Sequence, residues 1–183
     1  MRRHLFPFLV AGVSALAASA HAADGAINSD GAINSDGSIK GDTCTIAVNG
    51  IQAPAATVTL QTLPKNMLDA AGKTAGQTPF KISLTECTSK NSVAAFFKQD
   101  GFVDDTTGLL NNTGTAANVH LWLVDANNGN AIRAGDDIQK TASTHYAMPL
   151  GAAELLYAVR YYAIGVAGGG TVRGSITYEL HYR

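Results

Sequence analysis

The sequence predicts an all-β protein, an antiparallel sandwich of immunoglobulin-like kind. Three observations carry this. Short runs of alternating apolar and polar residues recur along the chain, with turn residues between them. No long amphipathic helical pattern competes with them anywhere. The last stretch is the clearest of all: Val172, Gly174, Ile176, Tyr178, Leu180 and Tyr182 alternate with Arg173, Ser175, Thr177, Glu179 and His181 almost to the final residue, Arg183. Chain ends usually fray unless a sheet ties them down. A strand is therefore expected there, running unbroken from Val172 to Tyr182.

Residues 1–22 read as a signal peptide. Arg2 and Arg3 form a basic head, Leu5 to Ala18 a short apolar core, and Ala20-His21-Ala22 a small-x-small cleavage site. Cleavage after Ala22 removes two of thirteen basic residues. The mature chain then carries eleven against fourteen acidic ones, a formal charge of −3. With no basic run, nucleic acid and anionic membranes are poor candidates for partners. The remaining length suits one domain.

A triplicated hexad follows: GAINSD (Gly25–Asp30), GAINSD (Gly31–Asp36) and a looser GSIKGD (Gly37–Asp42). Six is even, so a strand keeps one face through every copy. Ile27, Ser29, Gly31, Ile33 and Ser35 share a parity that is apolar or small, while Asn28, Asp30, Asn34 and Asp36 take the other. A helix would scatter the isoleucines. The Asp-Gly and Asn-Ser pairs equally suit a turn or a disordered tail, and composition alone does not choose.

Cys44 and Cys87 are the only cysteines. In an exported chain they are expected to form a disulfide, and their spacing fits neither a zinc site nor a CxxC redox pair. Cys44, Ile46 and Val48 begin a strand that Asn49-Gly50 ends. Ala56–Leu60 is a second short strand. Leu63–Gly76 reads as a loop with one helical turn at Met67–Ala71. Phe80, Ile82 and Leu84 alternate strictly, and Cys87 falls on the other parity, which predicts a bulge or strand end just before it. Val93–Lys98 is another strand. Val119, Leu121 and Leu123 alternate with His120, Trp122 and Val124, so both faces are largely apolar, as in a central strand. Asp125–Asn130 is a turn. Tyr146, Met148 and Leu150 share one parity, with Pro149 marking an edge or an end. Leu155, Tyr157, Val159, Tyr161 and Ala163 form a long strand with Arg160 and Tyr162 outside, and Gly168–Gly170 is the last break.

In this order the pieces resemble the fimbrial subunits (pilins) of the chaperone–usher pathway, close to the type 1 major-subunit family. The resemblance rests on GAINSDGSIKGDTC (Gly31–Cys44), ATVTL (Ala56–Leu60), FKISLTEC (Phe80–Cys87), NVHLWLVDANNGNAI (Asn118–Ile132), RYYA (Arg160–Ala163) and GSITYELHYR (Gly174–Arg183). It implies an incomplete sandwich that lacks its last strand and is completed by a donor strand from another subunit. Residues 23–37 would be that N-terminal extension and 38–183 the pilin domain. Ile27, Ser29, Gly31, Ile33 and Ser35 would enter the neighbour's groove, Gly31 falling where the family places its donor-strand glycine. The C-terminal strand, with Gly170 upstream and Ile176, Tyr178, Leu180 and Tyr182 along it, would face a periplasmic chaperone, and an outer-membrane usher would assemble the fibre at the cell surface. One departure is Ser35, where the family usually has a large apolar residue. An open groove further implies that the isolated monomer is unstable.

No catalytic constellation, metal loop or cofactor motif stands out. His120, His145 and His181 lie in or beside strands with polar alternates, Asp104-Asp105 and Asp136-Asp137 look like turn acids, and Gly168–Gly170 is followed by no phosphate-binding helix. An enzyme is therefore not expected. Trp122 and Tyr161-Tyr162 suit packing better than a sugar site. The expected function is a structural subunit of an adhesive fimbria. The alternatives are a minor or adaptor subunit, or a small secreted carbohydrate-binding sandwich. No residue pattern identifies a host receptor.

Overall fold

The computed structural model describes residues 26–29, 31–35, 44–53, 55–88 and 92–183. The signal peptide expected over residues 1–22 and the third hexad lie outside these residues. The strands are β1 (Ala26–Ser29), β2 (Gly31–Ser35), β3 (Thr45–Val48), β4 (Ala55–Val58), β5 (Leu63–Pro64), β6 (Thr74–Thr85), β7 (Ser92–Phe97), β8 (Val119–Asp125), β9 (Ala131–Ile132), β10 (Tyr146–Ala147), β11 (Ala153–Ala163), β12 (Gly170–Val172) and β13 (Thr177–Tyr182). One short helix, α1 (Gln139–Ala142), and two 3-10 turns complete the described chain. Two five-stranded sheets form the sandwich, in the orders β10-β7-β13-β2-β4 and β3-β6-β11-β8-β9, with a small third sheet β12-β1-β5.

The core between the sheets is built from the alternating positions. Phe80, Ile82 and Leu84 of β6, Val119, Leu121 and Leu123 of β8, and Leu155, Tyr157, Val159, Tyr161 and Ala163 of β11 are all buried. Tyr157 lies edge-on to Phe97, ring centroids 5.1 Å apart, a preferred aromatic geometry. Its hydroxyl accepts a hydrogen bond from the Ala95 amide at 3.0 Å, satisfying a buried polar tip. Burial pushes the Tyr157 phenol well above its usual range. Two buried polar side chains serve as local braces. Asp125 accepts from the Asn127 and Thr144 amides and so closes the Asp125–Asn130 turn. Gln139 donates to the carbonyl and accepts from the amide of Phe97, extending the β7 ladder with a side chain.

Four expectations are corrected. The loop expected over Leu63–Gly76 is shorter: a 3-10 turn occupies Lys65–Leu68, and β6 already begins at Thr74. Its start was hidden because two residues of β6, Gly76 and Gln77, oppose only Arg160 of β11. That bulge breaks the alternation, with Gly76 at φ +65 and no room for a Cβ, which would sit 2.6 Å from Leu63 Cδ1. Leu150 does not join Tyr146 and Met148. It sits in a turn at φ 58, 96% exposed, whereas Met148 is fully buried. The expected unbroken final strand is two strands, β12 and β13, separated by residues 173–176. Alternating burial persists through the break, because Val172, Ile176 and Tyr178 remain in the core. Finally, the second face of β8 is only partly closed: Val124 is buried, while half-buried Trp122 is covered by Arg160 (4.9 Å to the ring centroid) and edge-on Tyr162. The shift of parity before Cys87 is a strand end at Thr85, followed by Glu86 at φ 57.

Candidate functional site: the groove beside the last strand

The sandwich has a gap in its covalent framework. Within the sheet β10-β7-β13-β2-β4, strands β13 and β4 share no ladder and are joined only through β2. In the small sheet the same holds for β12 and β5, which are joined only through β1. Take away residues 26–35 and a single continuous groove opens, walled by β12 and β13 on one side and by β4 and β5 on the other. Val58, Leu63, Val172, Ile176 and Tyr178 would lie along it, all buried in the complete structure.

The two identical hexads are what fill this groove. The first aligns Ile27 with Leu63 and Gly170, and Ser29 with Val172. The second aligns Gly31 with Val58, Ile33 with Ala56, and Ser35 with Tyr178. Every odd-numbered position is thus set opposite a buried partner except for Gly170, which is half-buried. Even-numbered Ala26, Ala32 and Asn34 are set opposite exposed Pro64, Thr57 and Ala55. The period of two read from the sequence is therefore the period of the register. The hexads form strands, and the disordered-tail reading does not hold for residues 26–29 and 31–35. Which way their side chains face lies outside what the structure describes.

The groove is filled by the chain itself, in contrast to the open groove expected of a monomer. The direction of filling has a physical cause. β1 and β2 run parallel to β12 and β13, whereas antiparallel pairing is usual in sandwiches. The extension is rooted at Cys44, and Cys44 Sγ lies 3.4 Å from the Tyr182 hydroxyl at the far end of β13. A strand whose C-terminus points the same way as that of β13 ends nearest this root, so the parallel direction is the one that needs the shortest connection to Cys44.

The C-terminal strand residues come together as one wall. β13 is held on its other edge by β7, with Tyr178 opposite Phe97, Leu180 opposite Ala95 and Tyr182 opposite Val93. Tyr178 and Ile176 are buried, while Leu180 and Tyr182 are partly exposed and pack against the core. Gly170 has a packing reason of its own. At φ +151, a Cβ there would stand 2.6 Å from the Ala116 amide nitrogen, because the 112–116 loop crosses tightly at this point. The Ala116 amide bonds the Thr171 carbonyl at 2.9 Å across the same crossing. Sequence reasoning missed this loop as a groove support, since nothing in Asn112–Ala116 itself signals a strand partner.

The outer face of β8 and β11 gathers His120, Trp122, Arg160 and Tyr162. Desolvation holds His120 below the usual histidine range, with Asp104 pulling the other way. Tyr161, by contrast, faces the core and donates to the Gln61 carbonyl at 2.9 Å.

Residues 60–183 match the model of the FimA family, type-1 fimbrial protein A. The chain belongs to this family. It is a structural fimbrial subunit. It is 39% identical over 170 residues to the major fimbrial subunit SMF-1 of Stenotrophomonas maltophilia (strain K279a), covering 90% of this chain and 95% of the relative. It is 33% identical over 148 residues to the F17 fimbrial protein of Escherichia coli, covering 77% and 81% of the two chains. The crystal structure of the P pilus rod subunit PapA shares the fold, with a TM-score of 0.54 at 18% identity, over 76% of this chain and 99% of that one.

In the fimbrial subunit, Cys44 and Cys87 are bonded, closing a separation of 43 residues. The bridge pins the root of the extension to the end of β6, next to the exit of the groove. In the chain-entropy model a loop of this length contributes about 3–4 kcal/mol. Replacing both cysteines with serine is expected to lower unfolding stability by about 2–5 kcal/mol. Denaturant titration of the exported protein checks this, and an unchanged midpoint would refute it.

Proposed function

We propose that this subunit polymerises by donor-strand exchange into an adhesive fimbria. Residues 1–22 direct export, 23–37 are the donor extension, and 38–183 are the pilin domain that receives a neighbour's extension. The observation that supports this reading is the groove itself: the segment completing the sandwich lies N-terminal to the body of the domain and pairs with it through main-chain ladders along β12–β13 and β4–β5. A strand held in that way is replaceable by an equivalent strand from another copy, with backbone bonds supplying affinity and alternate side chains supplying specificity.

A periplasmic chaperone holds the groove open by pairing with the β13 edge that β2 occupies here, and an outer-membrane usher exchanges it for the next extension. Gly170, Ile176, Tyr178, Leu180 and Tyr182 line the wall that both would read. Ile27, Ser29, Gly31, Ile33 and Ser35 are the residues delivered. The partners are identical or related subunits, and the protein acts as a building element, not as an enzyme. Kinship with a relative named as a major fimbrial subunit favours the rod over an adaptor position. The test is expression with the matching chaperone and usher, followed by an unheated denaturing gel. A ladder that collapses to monomer on boiling is expected. A lone monomer that binds glycans would overturn the polymer reading in favour of a binding module.

A further inference from the structure

The two halves of the groove are braced differently. Behind β13 stands β7, a full neighbouring strand paired with it from Tyr178–Phe97 to Tyr182–Val93. β12 is the edge of its small sheet, and the 112–116 loop takes the place of a strand behind it. The loop answers β12 group by group. The Thr171 amide donates to Thr115 Oγ1 at 2.9 Å, and the Thr171 carbonyl accepts from the Ala116 amide at 2.9 Å. The Arg173 amide donates to Asn112 Oδ1 at 2.9 Å, and the Arg173 carbonyl accepts from the Thr113 amide at 2.8 Å. Alternate residues of a strand direct their main-chain groups to opposite edges. With Thr171 and Arg173 committed to the loop, Gly170 and Val172 turn theirs to β1, where Ile27 and Ser29 stand opposite.

Two of these four bonds come from side chains, and half-buried Asn112 does more than supply one of them. The same Oδ1 accepts from the Gly114 amide at 2.8 Å, and Nδ2 donates to the Ala116 carbonyl at 2.8 Å. A single side-chain amide thus folds the loop on itself and ties it to β12. The approach is close: a Cβ on Gly114 would stand 2.1 Å from the Thr171 carbonyl oxygen.

We propose that Asn112 is a positioning residue for strand insertion, holding β12 in register as a ready wall for the Ile27–Ser29 half of an incoming strand. The inference rests on the reading of the chain as a subunit completed by a transferable strand. In a vacant groove β12 loses β1, and the loop is the neighbour it keeps, whereas β13 keeps β7. Asn112 therefore governs one half of the groove. The half between β13 and β4, which receives Gly31–Ser35, is left to the β7 ladder.

A double-mutant cycle tests it in fibres assembled with chaperone and usher, read as the half-time for collapse of the gel ladder at one fixed temperature. Asn112→Ala is expected to shorten that half-time about tenfold. Thr115→Val, which removes one acceptor with little change of shape, should act in the same direction and serves if Asn112→Ala does not fold. Asn112→Asp keeps the acceptor for the Gly114 and Arg173 amides and should fall between Asn112→Ala and the unaltered protein. Ile27→Ala alone should shorten the half-time by about tenfold or more. On top of either loop variant it should add less than about twofold, because a wall out of register no longer reads that residue. Ile33→Ala, in the other half, should keep its whole effect in both backgrounds. Loop variants without effect, or effects that multiply in full with Ile27→Ala, would overturn the positioning role alone. Absence of a ladder from the unaltered protein would overturn the polymer reading and the inference with it.

Discussion

Deleting residues 23–37 from the mature chain is expected to abolish cooperative folding of the isolated subunit. The ladder partners of β13 and β4, and of β12 and β5, would vanish together. Leu63, Val58 and Tyr178, each directly opposite an extension residue, would lose their neighbour on that side. Exposing three such side chains costs about 1.5–3 kcal/mol each, against a total of about 5–15 kcal/mol for an ordinary domain. Unpaired amides and carbonyls along two strand edges add a template for aggregation. The full mature chain, filling its own groove, should instead unfold cooperatively as a monomer. Adding a synthetic peptide of residues 23–37 to the truncated chain should restore a cooperative melt in calorimetry. A truncated chain that is monodisperse and melts cooperatively without peptide would refute the groove as the stability-determining feature.

The second large effect concerns the repeat. Deleting Gly25–Asp30 or Gly31–Asp36 yields one and the same protein, so a single variant tests both copies. Strand parity survives, because six is even. The two copies nevertheless hold different ladders, the first with β12 and β5, the second with β13 and β4. One remaining copy in the β2 register would leave β12 and β5 unjoined. The insertion from Ile27 to Ser35 spans about 30 Å at about 3.3 Å per residue, and the deletion removes roughly two-thirds of it. The variant is expected to fold on its chaperone yet fail to form gel-resistant fibres. Polymers that resist unheated denaturant as the unaltered fibres do would show that one hexad suffices.

Much of this architecture was legible because a period of two is a local property. The core faces of β6, β8, β11 and β13 could be read residue by residue, since each strand meets water or the opposite sheet along its whole length. The strand end before Cys87 was legible for the same reason: a parity change needs no knowledge of the partner. Legibility failed where a neighbour, not the strand, set the pattern. The bulge at Gly76–Gln77 exists only relative to Arg160, and the start of β6 was lost with it. Leu150 looked like a core residue by alternation, but Gly151 and the Cys87 carbonyl turn the backbone outward.

By itself the sequence determined that any strand built from the two hexads carries one apolar or small face, that the chain's last segment alternates as a strand does, and that it holds two cysteines for one disulfide. What it left undecided was where that first strand goes. An even repeat fits any groove of the right parity, in this chain or another, and in either direction. Only the tertiary structure shows β1 and β2 in the chain's own groove and parallel to β12 and β13. The tether agrees with this direction: Cys44 is bonded to Cys87 and abuts Tyr182, so an extension rooted there has its shortest connection from that end. Parity is carried by the covalent chain, whereas direction is set by where the fold holds the strand's root.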